Sequence, residues 1–304
     1  MKKRDTFLPL DSGAKAAIEL GGISVTQRVR GVKGVPCVQQ PRGGYLPVKD
    51  METQSFDDGH GSLDSSLENR SPSAIGTVVD YLSRYVEGAS KNDAFQIPLY
   101  SAMQVKELIK KYGLGEYEVI DNASVAITQV PMFLDQINGL DDESISAALN
   151  LVAYDCIFRA GIETFRNPEK LETANQTTIQ HIRRMVLRSH TFMQEYGPAI
   201  AGLETFEGGY TKVVSAGDCD LVTADGLWDF KCSKFPPTNK HTLQILMYWQ
   251  MGLHSVFREY KKITQIGIWN PRIGKLWKYN VSELSQDVIN ELQYQVLVYP
   301  VDYH

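Results

Sequence analysis

The segment from Leu203 to Ser233, LETFEGGYTKVVSAGDCDLVTADGLWDFKCS, most tightly constrains what this chain can fold into. Before it, Ile179, Ile182, Val186 and Met193 recur at helical spacing after Asn175, until Gly197-Pro198 stops the helix. Within it the period changes. β-favouring runs separated by Gly or Asp predict three strands, over about 203–207, 211–223 and 227–232. Ala224-Asp225-Gly226 reads as a tight hairpin turn. Thr238 then caps a helix running to about Ser255, and ITQIGIWN and KLWKYNV read as strands joined by the Pro271–Gly274 turn. A last helix is expected after Ser282. The pattern is that of an α/β unit.

Upstream the character differs. Ser71-Pro72 opens a helix with Ile75, Val78, Val79, Leu82 and Val86 on one face, ended by Gly88. Further helices are expected over about Ala102–Tyr112 and from Asp141, so residues 71–165 read as mainly helical. Residues 1–70 are rich in Gly, Ser, Asp and Gln and read as a loop-rich arm with short strands. The remaining stretch, 166–304, holds the α/β unit.

The net charge of -5 argues against a general nucleic-acid coat, but its distribution is uneven. Residues 1–50 carry 9 basic and 4 acidic side chains, whereas residues 51–172 carry 9 and 20. In the arm, Arg28, Arg30, Lys33 and Arg42 are candidates for a phosphate backbone or for a solvated surface. The four cysteines form no C-x-x-C pair, which removes spacing support for a zinc ribbon. No apolar run approaches the roughly 20 residues a membrane span needs. Lys2, Lys3 and Arg4 are followed by Asp5 and Asp11 rather than an apolar stretch, so a cytoplasmic protein is the expectation.

Chemistry concentrates on the hairpin. Asp218 and Asp220 are two apart on one expected strand, and Asp229 and Lys231 two apart on the next. The turn brings Asp220 beside Asp229. Two such carboxylates repel unless a cation lies between them, and hard oxygen ligands favour Mg²⁺ or Mn²⁺ over zinc.

Gly217-x-x-Asp220-Leu221-Val222, then Asp229-Phe230-Lys231, then Gln244-x-x-x-Tyr248, resembles the three carboxyl-terminal motifs of RecB-type nucleases. These belong to the PD-(D/E)XK superfamily, with the lambda-exonuclease-like and CRISPR-associated exonucleases. The likeness covers roughly residues 173–255. It implies a restriction-endonuclease-like core, a mixed central sheet flanked by helices, with an amino-terminal mainly helical extension. It implies a Mg²⁺- or Mn²⁺-dependent nuclease acting on DNA, of bacterial or phage origin. Asp220, Asp229 and the Phe230 carbonyl would be metal ligands, and Lys231 the catalytic lysine. Gln244 and Tyr248, on one helix face, would orient Lys231 or the substrate. The family places a further Glu or His on the helix before the first strand, where His190 and Glu195 are the candidates; His181 lies further from the helix end.

Lys234 and Lys240 could hold the phosphate strand or face solvent. Trp249, Trp269, Arg272 and Trp277 could stack on bases or fill the core. The amino-terminal region could serve DNA ends, a protein partner or a second copy. Two other functions stay open: RNA cleavage, and a non-catalytic nucleic-acid-binding or assembly role on the same fold.

Overall fold

A computed structural model of the chain describes residues 10–167, 171–200 and 202–300. Lys2, Lys3, Arg4 and Asp5 lie outside them. Among the described residues, no helix is long and apolar enough to cross a membrane.

The described chain opens with α1 (Ser12–Glu19), β1 (Ile23–Ser24) and α2 (Val25–Arg30). These helices fall where loops and strands were expected. The Gly-rich composition conceals two good caps: Asp11 Oδ1 accepts from Ala14 N at 2.7 Å, and Ser24 and Gln27 cap each other reciprocally. β2 (Glu52–Ser55) follows, and then a helical run: α3 (Pro72–Val86), α4 (Lys91–Ala94), α5 (Gln96–Tyr112), α6 (Glu118–Ala123), α7 (Ala126–Gln136), α8 (Asp142–Val152) and α9 (Asp155–Ala160). The 21-residue α10 (Gln176–Tyr196) leads into β3 (Val214–Ala216), β4 (Leu221–Val222) and β5 (Gly226–Phe230). After α11 (Asn239–His254) come β6 (Gln265–Asn270), β7 (Lys275–Asn280) and α12 (Gln286–Glu291).

The main sheet has five strands in the order β2-β7-β6-β5-β4. β5 and β6 are parallel, which requires the α11 crossover between them; the other neighbours are antiparallel. The architecture is thus a mixed sheet flanked by helices. Several strand and helix boundaries differ from the sequence reading: α5 starts at Gln96 rather than Ala102, and β5 ends at Phe230. Residues 203–207 form no strand. The expected 211–223 strand breaks at Gly217: β3 leaves to pair with β1, and only Leu221 and Val222 join the main sheet. The last helix starts after Ser285, whose side chain caps Val288 N at 3.3 Å, rather than after Ser282.

The core divides into three apolar clusters, two of them against the sheet. One face packs on α11, where Leu243, Leu246 and Met247 meet Leu227 and Ile266; residues of α1 and α2 join the same cluster. The opposite face packs on α10 through aromatic rings. Phe192 stacks on Trp269 with centroids 5.0 Å apart and meets Trp228 edge-on at 5.5 Å. Trp228 fits because its neighbours are glycines: a Cβ at Gly226 or Gly267 would come within 2.3 Å or 2.6 Å of its indole. The third cluster joins α3, α5, α7, α8 and the first half of α10 around Ile75, Val79, Leu82, Leu149 and Ile182.

Three buried arginines fasten the amino-terminal segment to the rest. Arg28 pairs with Asp11 and donates to the carbonyls of Gln295 and Val296. Arg188 grips Asp58 and the Pro271 and Arg272 carbonyls. Arg272 pairs with Glu68 at 2.6 Å and donates to the Cys232 carbonyl. Arg28 is therefore a structural residue with no surface for a phosphate. Trp249, Trp269 and Trp277 are buried as well, so all of these fill the core.

The Phe192 ring joins α10 to both central tryptophans. Phe192→Ala is expected to lower unfolding free energy by about 3–5 kcal/mol in urea titrations. A loss under about 1 kcal/mol would mean that the α10 face is not packed as described.

Candidate functional site

The short hairpin positions the acidic residues. β4 and β5 pair only through Leu221 with Trp228 and Val222 with Leu227. Thr223 N donates to the Gly226 carbonyl at 2.8 Å to close the turn. Beyond Leu221 the ladder ends, and the Phe230 N–H would lack a partner. Asp220 Oδ2 takes it at 2.6 Å. Asp220 thus lies just outside the strand, and Asp218 is not on a shared strand with it. The cause is the break at Gly217, where the chain presses close to Val25 and Tyr248 and the Tyr210 hydroxyl holds the Gly217 carbonyl at 2.9 Å.

On β5 the pleat alternates. Leu227 and Asp229 face α11, and Trp228 and Phe230 face α10. Asp229 is 1% exposed. Lys231 N continues the pairing to the Trp269 carbonyl at 2.8 Å, and its Nζ lies 2.6 Å from Asp229 Oδ2. This close ion pair occupies the buried carboxylate oxygen. Burial pushes the Asp229 carboxyl above the usual range; Lys231 pulls it back, and the Asp220 charge raises it again. Burial opposes the Lys231 charge, but Asp229 and Asp220 hold the ammonium above the ordinary lysine value.

Across α11, Gln244 Nε2 donates to the Tyr248 hydroxyl at 2.7 Å, one helical turn away. Tyr248 stacks on Phe206 at 5.5 Å. Burial, then the Asp229 charge, raises its phenol far above the usual value, so Tyr248 keeps its proton.

α3 brings a further carboxylate. Asp80 is chelated by Arg84 through Nε at 3.1 Å and Nη2 at 3.0 Å. Burial, with the Asp220 and Asp218 charges beside it, pushes the Asp80 carboxyl up to about 6 despite Arg84. Arg84 in turn lies in the field of Asp80, Asp220 and Glu204. Asp218 is more open to solvent, yet desolvation by its surroundings and the Asp220 charge raise it too, against the pull of Arg159 and Arg84. On the other side, the field of Arg30 reaches Asp229, Lys231 and His241. His241 accepts from Thr238 N through Nδ1, and burial with the Lys231 charge holds its ring down to about 4, so it is neutral.

His190 and Glu195 have partners elsewhere. His190 Nδ1 is 2.7 Å from Glu87, and Glu195 accepts from Gln54 Nε2 of β2 at 2.7 Å. Lys234 lies over the Phe235 ring, and Lys240 is exposed at the start of α11. His181 pairs with Glu68. The acidic residue that the structure adds beside Asp220 is Asp80. No local signal marked it: Asp80 and Arg84 are one turn apart and lie outside the buried stripe of α3, like any pair on a helix surface.

Comparison of the chain with protein-family models, curated proteins and solved structures finds no match. The chemistry is therefore read from the geometry. Among the described residues, no three His, Cys, Asp or Glu side chains gather closely enough to ligate one ion as placed. The carboxylates use protein donors instead: Arg84 for Asp80, the Phe230 amide for Asp220, and Lys231 for Asp229. The carboxylates themselves suit a hard divalent cation, because they offer oxygens and raise one another's affinity for a proton.

In EDTA at pH 8, Asp80→Asn should raise stability by up to about 2 kcal/mol. The folded value is raised, so ionised Asp80 penalises the fold above about 6, and the gain should fade toward pH 4. Urea unfolding at both pH values measures this. A variant less stable than wild type at pH 8 reverses the electrostatic reading.

Proposed function

We propose that this chain is a divalent-cation-dependent nuclease of the PD-(D/E)XK type that hydrolyses DNA phosphodiester bonds. The observation that carries the reading is the buried Asp229, paired with the partly buried Lys231 and set beside Asp220 at the end of a two-residue strand. An isolated surface ion pair would need none of this burial. Asp220, Asp229 and the Phe230 carbonyl, joined by Asp80, are the groups that would hold Mg²⁺ or Mn²⁺. The bound cation would supply Lewis-acid activation of water and of the phosphate.

The chain's own residues supply the rest. Lys231 stays protonated between two carboxylates, so it serves as a hydrogen-bond donor that orients water and offsets charge on the phosphoryl oxygens. Tyr248, kept neutral and fixed by Gln244, offers a further O–H donor on the same face. Arg30 adds positive potential on the approach to Lys231. Arg84 neutralises Asp80 and must give way when that carboxylate takes a cation.

A second reading, a non-catalytic nucleic-acid-binding protein on the same fold, is favoured by the internal partner that each carboxylate already has. Calorimetric titration with Mn²⁺ separates the two. The nuclease reading expects binding in wild type and several-fold tighter binding in Arg84→Gln, where the competing guanidinium is gone. No binding by either protein supports the scaffold.

The direct test is digestion of end-labelled linear and closed circular DNA, single- and double-stranded, and of RNA, with Mg²⁺ or Mn²⁺. Lys231→Ala is expected to keep its circular dichroism spectrum and lose about a hundredfold or more in rate. Equal cleavage by the variant would remove Lys231 from the chemistry.

A further inference from the structure

A cavity of about 630 Å³ opens beside Asp220 and Phe230 and runs between the end of α3, the start of α5 and the residues Ala199, Ile200, Gly202 and Glu204. It far exceeds what a hydrated cation needs and lies in the range of small organic ligands, about 300–1,000 Å³. Five carboxylates border it: Asp80, Glu87, Asp93, Glu204 and Asp220. The arginine in its lining, Arg84, is already bound to Asp80. This potential repels a phosphate from the interior. Met193, Ile200 and Phe230 give it apolar walls, and Gln96 adds a neutral polar side chain. One wall carries a hydroxyl with no partner: Ser83 Oγ, on a residue only 6% exposed. A buried polar atom left unpaired is costly, and a ligand with a complementary edge relieves that cost.

We infer that this cavity is a nucleobase pocket, which receives one unstacked base next to the phosphodiester bond at Asp220 while the phosphates stay outside near Lys231 and Arg30. The inference rests on the nuclease reading and names its substrate class. A base has flat apolar faces for Met193, Ile200 and Phe230, a polar edge for Ser83, and no charge for the carboxylates to repel. Glu87 and Asp93 accept from amino groups, so cytosine, adenine and guanine fit better than thymine or uracil, which lack an exocyclic amine. A base in the pocket must have left its stack and its pair. Single strands, frayed ends and flaps are therefore the substrates, and intact duplex interiors are not.

The test uses the full chain with single-stranded oligonucleotides carrying one 2-aminopurine, moved along the strand. Wild type is studied in EDTA and Lys231→Ala in Mn²⁺. The expected result is a fluorescence change at one position only, abolished by Ala199→Trp. Ala199 is exposed at the cavity wall, so a tryptophan there fills space without entering a core. An abasic residue at that position should weaken binding about fivefold or more, and thymine there should bind less well than cytosine. Equal signals at every position, or full affinity for the abasic strand, overturn the pocket. Cleavage by wild type is scored separately. A protein that cuts but ignores the abasic site refutes the pocket alone, and one that cuts nothing in Mg²⁺ or Mn²⁺ refutes the nuclease reading.

Discussion

The hydrogen bond from the Phe230 amide to Asp220 determines how the rest of the site is built. A hairpin with a longer first strand would satisfy that amide through the ladder, and residue 220 would lie within the sheet. Here the ladder contains two residue pairs. The carboxylate replaces the missing strand and is held beside Asp229 by a backbone group that cannot rotate away. Asp229 is fixed by the pleat of a strand flanked on both sides, and Lys231 by the extra pairing to Trp269. The positions of all three charged groups therefore follow from backbone hydrogen bonding, and side-chain freedom contributes little to them.

That rigidity needs support, because clustered carboxylates oppose folding. Asp80, Asp218 and Asp229 are each raised by burial or desolvation and by the charge of Asp220. The opposing terms lie nearby. The α10 aromatic layer packs under Trp228 and Phe230, and the Arg188 and Arg272 clamps join residues 58–68 to the β6–β7 turn and to the carbonyl of Cys232, just past Lys231. Burying a guanidinium is favourable only when its donors are filled. Both arginines satisfy this with one carboxylate and several carbonyls. The polar amino-terminal segment, whose composition suggested a solvated arm, supplies those carboxylates.

The parts legible in the sequence are those governed by local rules. The caps at Ser71 and Asn175, the turn after Val222, the α11 boundaries and the Gln244–Tyr248 spacing all depend on neighbours within four residues. What was not legible depends on distant partners. β3 leaves the main sheet because β1, nearly two hundred positions earlier, pairs with it. Asp80 gains its meaning from Asp220, and nothing within α3 distinguishes it from an aspartate paired to Arg84 on any helix surface. His190 and Glu195 were candidates because they precede the hairpin in the chain, yet β2 and the C-cap of α3 supply their partners.

The placement of Asp80 also bears on how the helical run relates to the site. α3 belongs to the helical cluster, through Ile75, Val79 and Leu82, and packs against α10. The same helix carries Asp80, Ser83 and Arg84, with Glu87 at its C-cap, along the cavity beside Asp220. A shift of α3 relative to the sheet would therefore move a carboxylate, its arginine and the cavity wall together. Tyr81 extends this coupling, since its hydroxyl donates to Asp155 at 2.6 Å and receives Arg159, whose charge acts on Asp218. α3 and α9 thus take part in the electrostatics of the hairpin.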